Sequence, residues 1–530
     1  MNLGTAYYPD YRKRESRPDD FRKMKEAGIR RIRIAEFAWT LMEPQKGQYN
    51  WGWLDDSIAM AADFGIEVVL CTPTACPPIW LVEEFPDVLP VDAEGRRTVF
   101  GARQHRCYNS PAYREHSFRI TKAMAQRYGN HPNVAAWQMD NEFGGEQKKC
   151  YCENCRKAFQ GYLQEKYQSI EALNERWGNW FWSKLYQRWE QIPVPLKTAA
   201  DLQMKHDPSL ELEFSRFSSD TIVSYSREQA AILRKHAGGR PITTNAFLFR
   251  WGDNLNWYEL FCQLDAAGID IYSDKPYEIG FYADVNRSLK SRPFWVMEYG
   301  TGSRNLRQEM ELLQGRGCEW MFLFKFNPFP WGQEQGTRDV LTITGKPTHC
   351  YETARAWTQR SGACVEQSIR SSGIGLFYCF DSSWAYSVED YLKYPKYVID
   401  VVYQSVFDVD RSIQIVFNKE GLKDIDTMIL PLQLIYDREL EDALISFVEA
   451  GGKLIVTSDL FQKNEDNVYL EGIPRIYQEL LGWSENNFVY LEGKDRGVVV
   501  SHGAKGFGKA WVVRKDASLD EWKHIVYSIR

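Results

Sequence analysis

Eight short apolar runs, each followed by a segment of helical character, occupy the first 360 or so residues and constrain this chain more than any other feature. The runs lie at residues 3–9, 29–37, 66–73, 134–140, 241–247, 267–273, 293–300 and 318–326. Between them, segments such as 19–27 and 51–64 have helical spacing and stop at Gly28 and Gly65, residues suited to ending a helix. A further helix is expected at 112–128, and a long helical excursion runs to about His236. Repeated strand-then-helix units need crossover connections, which make the strands parallel. Eight of them predict a (β/α)8 TIM barrel of the α/β class. An open doubly wound sheet is the alternative; the barrel is preferred because polar and aromatic residues collect at the carboxyl ends of the runs.

From about Ser371 the alternation restarts, with strands expected at 374–379, 413–417, 427–432 and 453–458 and helices at 391–403 and 437–450. This predicts a smaller, flavodoxin-like α/β domain. No glycine-rich phosphate fingerprint follows any of its strands, so its expected role is packing and oligomerisation rather than nucleotide binding. The expected division is a catalytic barrel over 1–365 with a zinc-binding insertion near 107–155, the flavodoxin-like domain over 371–490, and a short β-rich segment over 491–530.

Composition narrows the function. A net charge of −6, with no basic run interleaved with aromatics, argues against a nucleic-acid partner. No apolar stretch reaches the length of a membrane span, and residues 1–5 lack the charged-then-apolar pattern of a secretory leader. A soluble, cytoplasmic protein is therefore expected, and its eleven cysteines should be thiols or metal ligands rather than disulfides. Nineteen Trp and 29 Tyr suit a protein that stacks sugar rings on aromatic faces.

Reactive groups in a barrel come from the carboxyl ends of different strands. Those ends carry Glu36, Asn141 with Glu142, Asn245, Tyr272 with Asp274, and Glu298; Arg103 lies in the loop before the fourth strand. Taken alone, Asp140-Asn141-Glu142 reads first as an acidic helix N-cap. Yet Phe294-Trp295-Val296-Met297-Glu298 repeats the pattern, an apolar run that delivers one carboxylate just before a glycine. Two carboxylates at one barrel rim are the machinery of glycosidic bond cleavage, one serving as acid/base and the other as nucleophile or base.

Cys150, Cys152 and Cys155 fall within six residues, and Cys107 lies just beyond Arg103. Four thiolates outside an oxidising compartment have the composition of a closed, structural zinc site; scattered thiols or a redox pair at Cys152 and Cys155 are the alternatives.

Several motifs resemble glycoside hydrolase family 42, the β-galactosidases. They are Arg33-Ile34-Ala35-Glu36-Phe37-Ala38-Trp39, Cys107-Tyr108-Asn109-Ser110-Pro111, and residues 137–144, 177–182 and 294–298. The likeness covers about 1–347, and residues 428–436 and 447–458 resemble that family's trimerisation domain. The resemblance implies a retaining exo-glycosidase in which Glu142 is the acid/base and Glu298 the nucleophile. It implies that Asn141 and Arg103 bind sugar hydroxyls, that Trp182 walls the sugar site and that Glu334 is a hydroxyl ligand. It makes Cys107, Cys150, Cys152 and Cys155 zinc ligands and the assembly a homotrimer. Glu36 and Tyr272 are expected substrate-binding groups. The chain departs from the family pattern at Tyr299, Lys325 and Gly336, and it lacks the usual Trp after the sixth strand.

The expected substrate is an oligosaccharide or small β-glycoside carrying terminal β-D-galactose. The same fold with shifted specificity (α-L-arabinopyranosidase, β-fucosidase or β-glucosidase) and a non-catalytic carbohydrate-binding protein are the competing readings. Retention requires the two carboxyl groups to lie about 5–5.5 Å apart, and the charge of Glu298 should raise the pKa of Glu142.

Overall fold

Parallel strands covered on both faces are mostly apolar, and the eight runs behave accordingly except at a few charged positions such as Arg33 and Asp270. The computed structural model describes all residues except 147, 198–205, 248–252, 291–292, 338, 361–372, 390–392, 410–412, 484–498, 506–507 and 530. The first eight strands are β1 (Asn2–Ala6), β2 (Arg31–Ile34), β3 (Glu67–Cys71), β4 (Val134–Gln138), β5 (Ile242–Thr243), β6 (Gly268–Ile271), β7 (Phe294–Gly300) and β8 (Cys318–Phe324). They pair in parallel in the order β5-β4-β3-β2-β1-β8-β7-β6. A parallel bridge between Ala246 and Ile269 joins the two ends and completes the barrel. Closure there demands close approach: a Cβ on Gly268 would sit 2.3 Å from the carbonyl oxygen of Thr244, so only glycine fits.

Inside the barrel, Val69, Ala136, Met297 and Phe322, from four different strands, form one buried cluster with Trp295 and Trp320. At the carboxyl end of β6 the register against β7 slips between Ile269 and Asp270, which sets Asp270 directly beside Glu298. Helices on the outside start and stop where their residues dictate. Pro111–Tyr128, for example, begins with Pro and is capped by Ser110, whose hydroxyl accepts from the amide of Tyr113 at 3.3 Å.

The chain forms two compact units. One comprises Met1–Asp92, Arg96–Asn154 and Asp220–Ile369; the other comprises Ala93–Gly95, Cys155–Ser219 and Arg370–Arg530. The second unit contains a six-stranded sheet of β9 (Ile374–Phe377), β10 (Gln414–Val416), β11 (Thr427–Leu430), β12 (Lys453–Thr457), β13 (Val499–Lys505) and β14 (Gly508–Val513), in the order β10-β9-β11-β12-β14-β13. All its pairs are parallel except β13 with β14. The C-terminal stretch thus joins this sheet and ends in the helix Leu519–Ile529. The expected helix over 391–403 is preceded by one that sequence reading missed, Phe380–Glu389. Met428, Leu430, Leu444, Val448 and Val512 pack between sheet and helix as the unit's core.

Candidate active site

The segment after β4 does not cap a helix. Asp140-Asn141-Glu142 follows the strand directly, and the next helix begins only at Glu153. Asp140 and Glu142 take the left-handed backbone conformation, with φ of 51° and 46°, which side chains other than those of Gly and Asn seldom tolerate. Strain of this kind persists only where neighbours over-determine it. Here Asp140, fully buried, does so: its Oδ1 accepts from Arg106 at 2.6 Å and its Oδ2 from Thr74 at 2.7 Å. Its amide donates to Thr72 Oγ1 at 2.7 Å, and the Asn141 amide donates back to Asp140 Oδ1 at 2.8 Å. The acid of this trio nearest the strand is therefore a buttress, and Glu142 is what it holds in place.

Glu142 and Glu298 meet at the barrel mouth. One oxygen of each lies within 4.8 Å of the other, and both side chains are buried. Glu142 Oε2 accepts from Asn141 Nδ2 at 3.1 Å and faces Arg103 Nη2 at 3.2 Å. Glu298 Oε1 is gripped by Arg33 Nη2 at 2.6 Å and Asn245 Nδ2 at 3.2 Å, while Tyr272 donates its hydroxyl to Oε2. Burial first, and then the negative charge of Glu298, pushes the Glu142 carboxyl up to about 7 against the pull of Arg103 and Arg33. The expected upward shift is found, with desolvation as its larger cause.

The other expected residues divide into those gathered here and those that are not. Glu36 is fully buried; its Oε1 accepts from Arg33 at 2.7 Å and from the Tyr8 hydroxyl at 2.7 Å, and its Oε2 has no partner among the described residues. Glu334 reaches Arg103 at 3.7 Å from the solvent side. Asn141 Oδ1 accepts from Asn245 at 3.0 Å. Tyr8, Tyr11, Phe37, Phe324 and Phe329 form an aromatic cluster at the same rim. Trp182 belongs to the second unit, where its exposed ring stacks on Phe181 at 4.7 Å. Asp274 is exposed.

Two departures from the family pattern are buried and bonded to other protein groups. Tyr299 follows Glu298 on β7 and so faces the opposite side; it is buried, and its hydroxyl donates to Glu309 on an outer helix at 2.7 Å. Lys325 is buried too, with its Nζ on Thr337 at 2.8 Å and Asp339 at 3.6 Å. Neither side chain is free to meet a sugar.

Sequence reading missed Arg33 as a working residue, although a charged residue alternating with Ile32 and Ile34 on a core strand carries a signal. It also missed Asp270, a charge in the middle of the buried run Gly268-Ile269-Asp270-Ile271.

Cys107, Cys150, Cys152 and Cys155 come together, with one sulfur of each within 4.8 Å of the others. The Cys107 and Cys152 sulfurs are 3.6 Å apart, close to the ~3.8 Å edge of a tetrahedron with metal–sulfur bonds of about 2.3 Å. The Val91 amide donates to the Cys150 sulfur at 3.4 Å, as it would to a thiolate. Among the described residues no cysteine is placed in a disulfide. This set could hold a metal ion.

Comparison with known proteins agrees with the geometry. The sequence model of the β-galactosidases of glycoside hydrolase family 42 matches residues 6–359, and that of the β-galactosidase trimerisation domain matches 372–524. A β-galactosidase of Thermus thermophilus is 33% identical over 488 residues, which cover 86% of this chain and 74% of that one. The β-galactosidase BgaA of Clostridium cellulovorans is 32% identical over 510 residues, covering 91% of this chain and 76% of that one. The solved β-galactosidase of the Antarctic haloarchaeon Halorubrum lacusprofundi superposes with a TM-score of 0.91 at 27% identity, over 100% of this chain and 89% of that one. With a closed barrel, a carboxylate pair at its mouth and family matches across both halves, this chain belongs to glycoside hydrolase family 42, the β-galactosidases.

Proposed function

We propose that this enzyme releases terminal non-reducing β-D-galactose by double displacement, with Glu142 as acid/base and Glu298 as nucleophile. The observation that carries the reading is the separation of the pair. Oxygens within 4.8 Å leave no room for the water that an inverting enzyme holds between carboxyl groups roughly 6.5–9.5 Å apart. Protonated Glu142 donates to the leaving oxygen while Glu298 attacks the anomeric carbon. Glu142 then takes a proton from the water that hydrolyses the glycosyl-enzyme. A purely sugar-binding protein has no use for such a pair, since burying carboxylates together costs free energy that only chemistry repays.

The sugar hydroxyls would be held by Arg103, Asn141, Glu36, Tyr272 and Glu334; Trp182 would offer an exposed ring on which a sugar can stack. Glu36 Oε2, buried and without a partner among the described residues, is a fitting acceptor for a hydroxyl. Assayed against a panel of nitrophenyl glycosides, the protein should turn over the β-D-galactoside at least about tenfold faster than the α-L-arabinopyranoside, β-D-fucoside and β-D-glucoside. That margin is the discrimination of one or two sugar hydroxyls bonded by a buried site. A preference for one of the other three would shift the assignment, and no turnover on any would refute it.

The four cysteines would hold a structural zinc ion, tying the segment with Arg103 to the one that follows Glu142. A closed set of four thiolates leaves no position for substrate. Purified protein should contain about one zinc per chain, and Cys150→Ser should lose it and lower the unfolding temperature by several degrees. Metal analysis that finds no zinc would remove this role. The match to the trimerisation domain supports a homotrimer. The reduced cysteines favour a cytoplasmic setting, and no helix among the described residues is long and apolar enough to cross a membrane. The division into a barrel over 1–365, a flavodoxin-like domain over 371–490 and a C-terminal segment over 491–530 stands as part of this proposal.

A further inference from the structure

A third carboxyl group shares the mouth with the catalytic pair. One oxygen each of Glu142, Asp270 and Glu298 lie within 4.8 Å of one another. Asp270 is buried on β6 and stands beside Glu298 across the β6–β7 ladder. Its Oδ2 accepts from Asn245 Nδ2 at 2.7 Å, whereas its buried Oδ1 has no hydrogen-bond partner among the described residues. The charged groups that face it are Glu298 from β7, Glu142 from the segment after β4, and Arg33 from β2. Tyr272, two residues on, points its hydroxyl at Glu298.

Counting the half-buried Arg103 with the buried groups, the charges around this cluster balance when Asp270 is neutral. Arg33 and Arg103 contribute two positive charges. Glu36 and Glu298, both paired to Arg33, contribute two negative ones. Glu146 and Glu334 meet Arg103 from the solvent side, where water screens them. With Glu142 protonated and ready to donate, the buried set is neutral only if Asp270 is protonated as well. In the glycosyl-enzyme, Glu298 is esterified and uncharged while Glu142 has become a carboxylate. The set is again neutral only with a protonated Asp270. A buried cluster avoids an uncompensated charge at either stage.

We propose that Asp270 remains a neutral carboxylic acid throughout the cycle and serves as a positioning residue, donating its proton in a hydrogen bond to Glu142. This rests on the reading of Glu142 and Glu298 as the catalytic pair. One oxygen of Asp270 lies within 4.8 Å of one of Glu142, both side chains being buried. Two buried carboxylates so close repel each other, and a hydrogen bond between them needs a proton on one, since both carboxylates only accept. Burial, followed by the charges of Glu298 and Glu142, also holds the Asp270 carboxyl well above the usual carboxylate range. While Glu142 is the acid, the bond fixes its carboxyl toward the leaving oxygen; once Glu142 is the base, the bond steadies the carboxylate.

The test compares the full-length wild type with Asp270→Asn and Asp270→Leu. Asparagine reproduces a neutral acid: its oxygen can accept from Asn245 and its amide can donate to Glu142. It should retain kcat within about tenfold of wild type and keep the alkaline limb of kcat/KM in place. Leucine keeps the branched shape, with more bulk, and removes the donor; kcat should fall about 100-fold, the cost of a misplaced catalytic group. If Asp270 is instead ionised, Asp270→Asn deletes a negative charge beside Glu142, lowers its pKa and moves the alkaline limb to lower pH by a unit or more. That outcome overturns the proposal, as does a folded Asp270→Leu enzyme as active as Asp270→Asn. Should the leucine variant fail to fold, the asparagine profile still decides. A protonated-carboxyl infrared band at pH 8, present in wild type and missing in Asp270→Asn, is expected independently of turnover, and its absence from wild type refutes the idea. Failure of the underlying assignment shows separately: a 2-deoxy-2-fluorogalactosyl donor would then leave no adduct on Glu298.

Discussion

Replacing Glu298 with glycine is expected to lower kcat by about 10⁴-fold or more, comparable to losing the nucleophile in other covalent mechanisms. The fold should survive. Arg33 keeps its bond to Glu36 at 2.7 Å, so removal of Glu298 leaves no buried guanidinium without a carboxylate. The space vacated between Arg33, Asn245 and Tyr272 is that of a small anion, and azide should restore turnover by attacking the anomeric carbon from the same face. The product would be an α-galactosyl azide, inverted because only one displacement occurs. Activity within about 100-fold of wild type without azide, in protein shown to be folded by circular dichroism, would end the nucleophile assignment.

Glu142→Ala should cost about 10³-fold on substrates with poor leaving groups, within the range of general acid–base catalysis. On dinitrophenyl glycosides, whose leaving group needs no proton, the loss should fall mainly on hydrolysis of the glycosyl-enzyme, and azide should relieve it. The pH profile carries a second signature. Donation requires protonated Glu142, whose pKa burial and then Glu298 raise to about 7. Wild-type kcat/KM should therefore be level below pH 7 and fall about tenfold per unit above it. The sign follows from the acid form being the active one. In Glu142→Ala that limb should vanish; a limb that persists would assign the titration to another group.

The strand ends of the barrel, and with them Glu36, Asn141, Glu142, Tyr272 and Glu298, could be read from local pattern alone. Each follows an apolar run of the right length, and parallel topology sends every such end to one rim. The cysteine cluster was equally legible, because three of its four members lie within six residues. The part played by Asp140 was not legible for the same reason of locality: taken alone, an Asp-Asn-Glu run resembles a cap, and only the fold puts Arg106 and Thr74 on the acid. The meaning of Tyr299 and Lys325 was also hidden, since which face of a strand or loop they occupy depends on neighbours such as Glu309 and Asp339.

By itself, then, the sequence determined the repeating architecture, the pair of rim carboxylates and the four thiols. All of these rest on periodicity and short spacing. Only the tertiary structure decided that Arg33, Asn245 and Asp270 converge on the pair. These residues lie on different strands, up to 237 positions apart in the chain from Arg33 to Asp270, and meet only where the barrel closes between Ala246 and Ile269. The strained backbone at Glu142, the slipped register beside Glu298 and the burial that sets the acidity of Glu142 are likewise products of that closure. Distance in space and removal from water are properties of the packed barrel, and no stretch of the chain carries them alone.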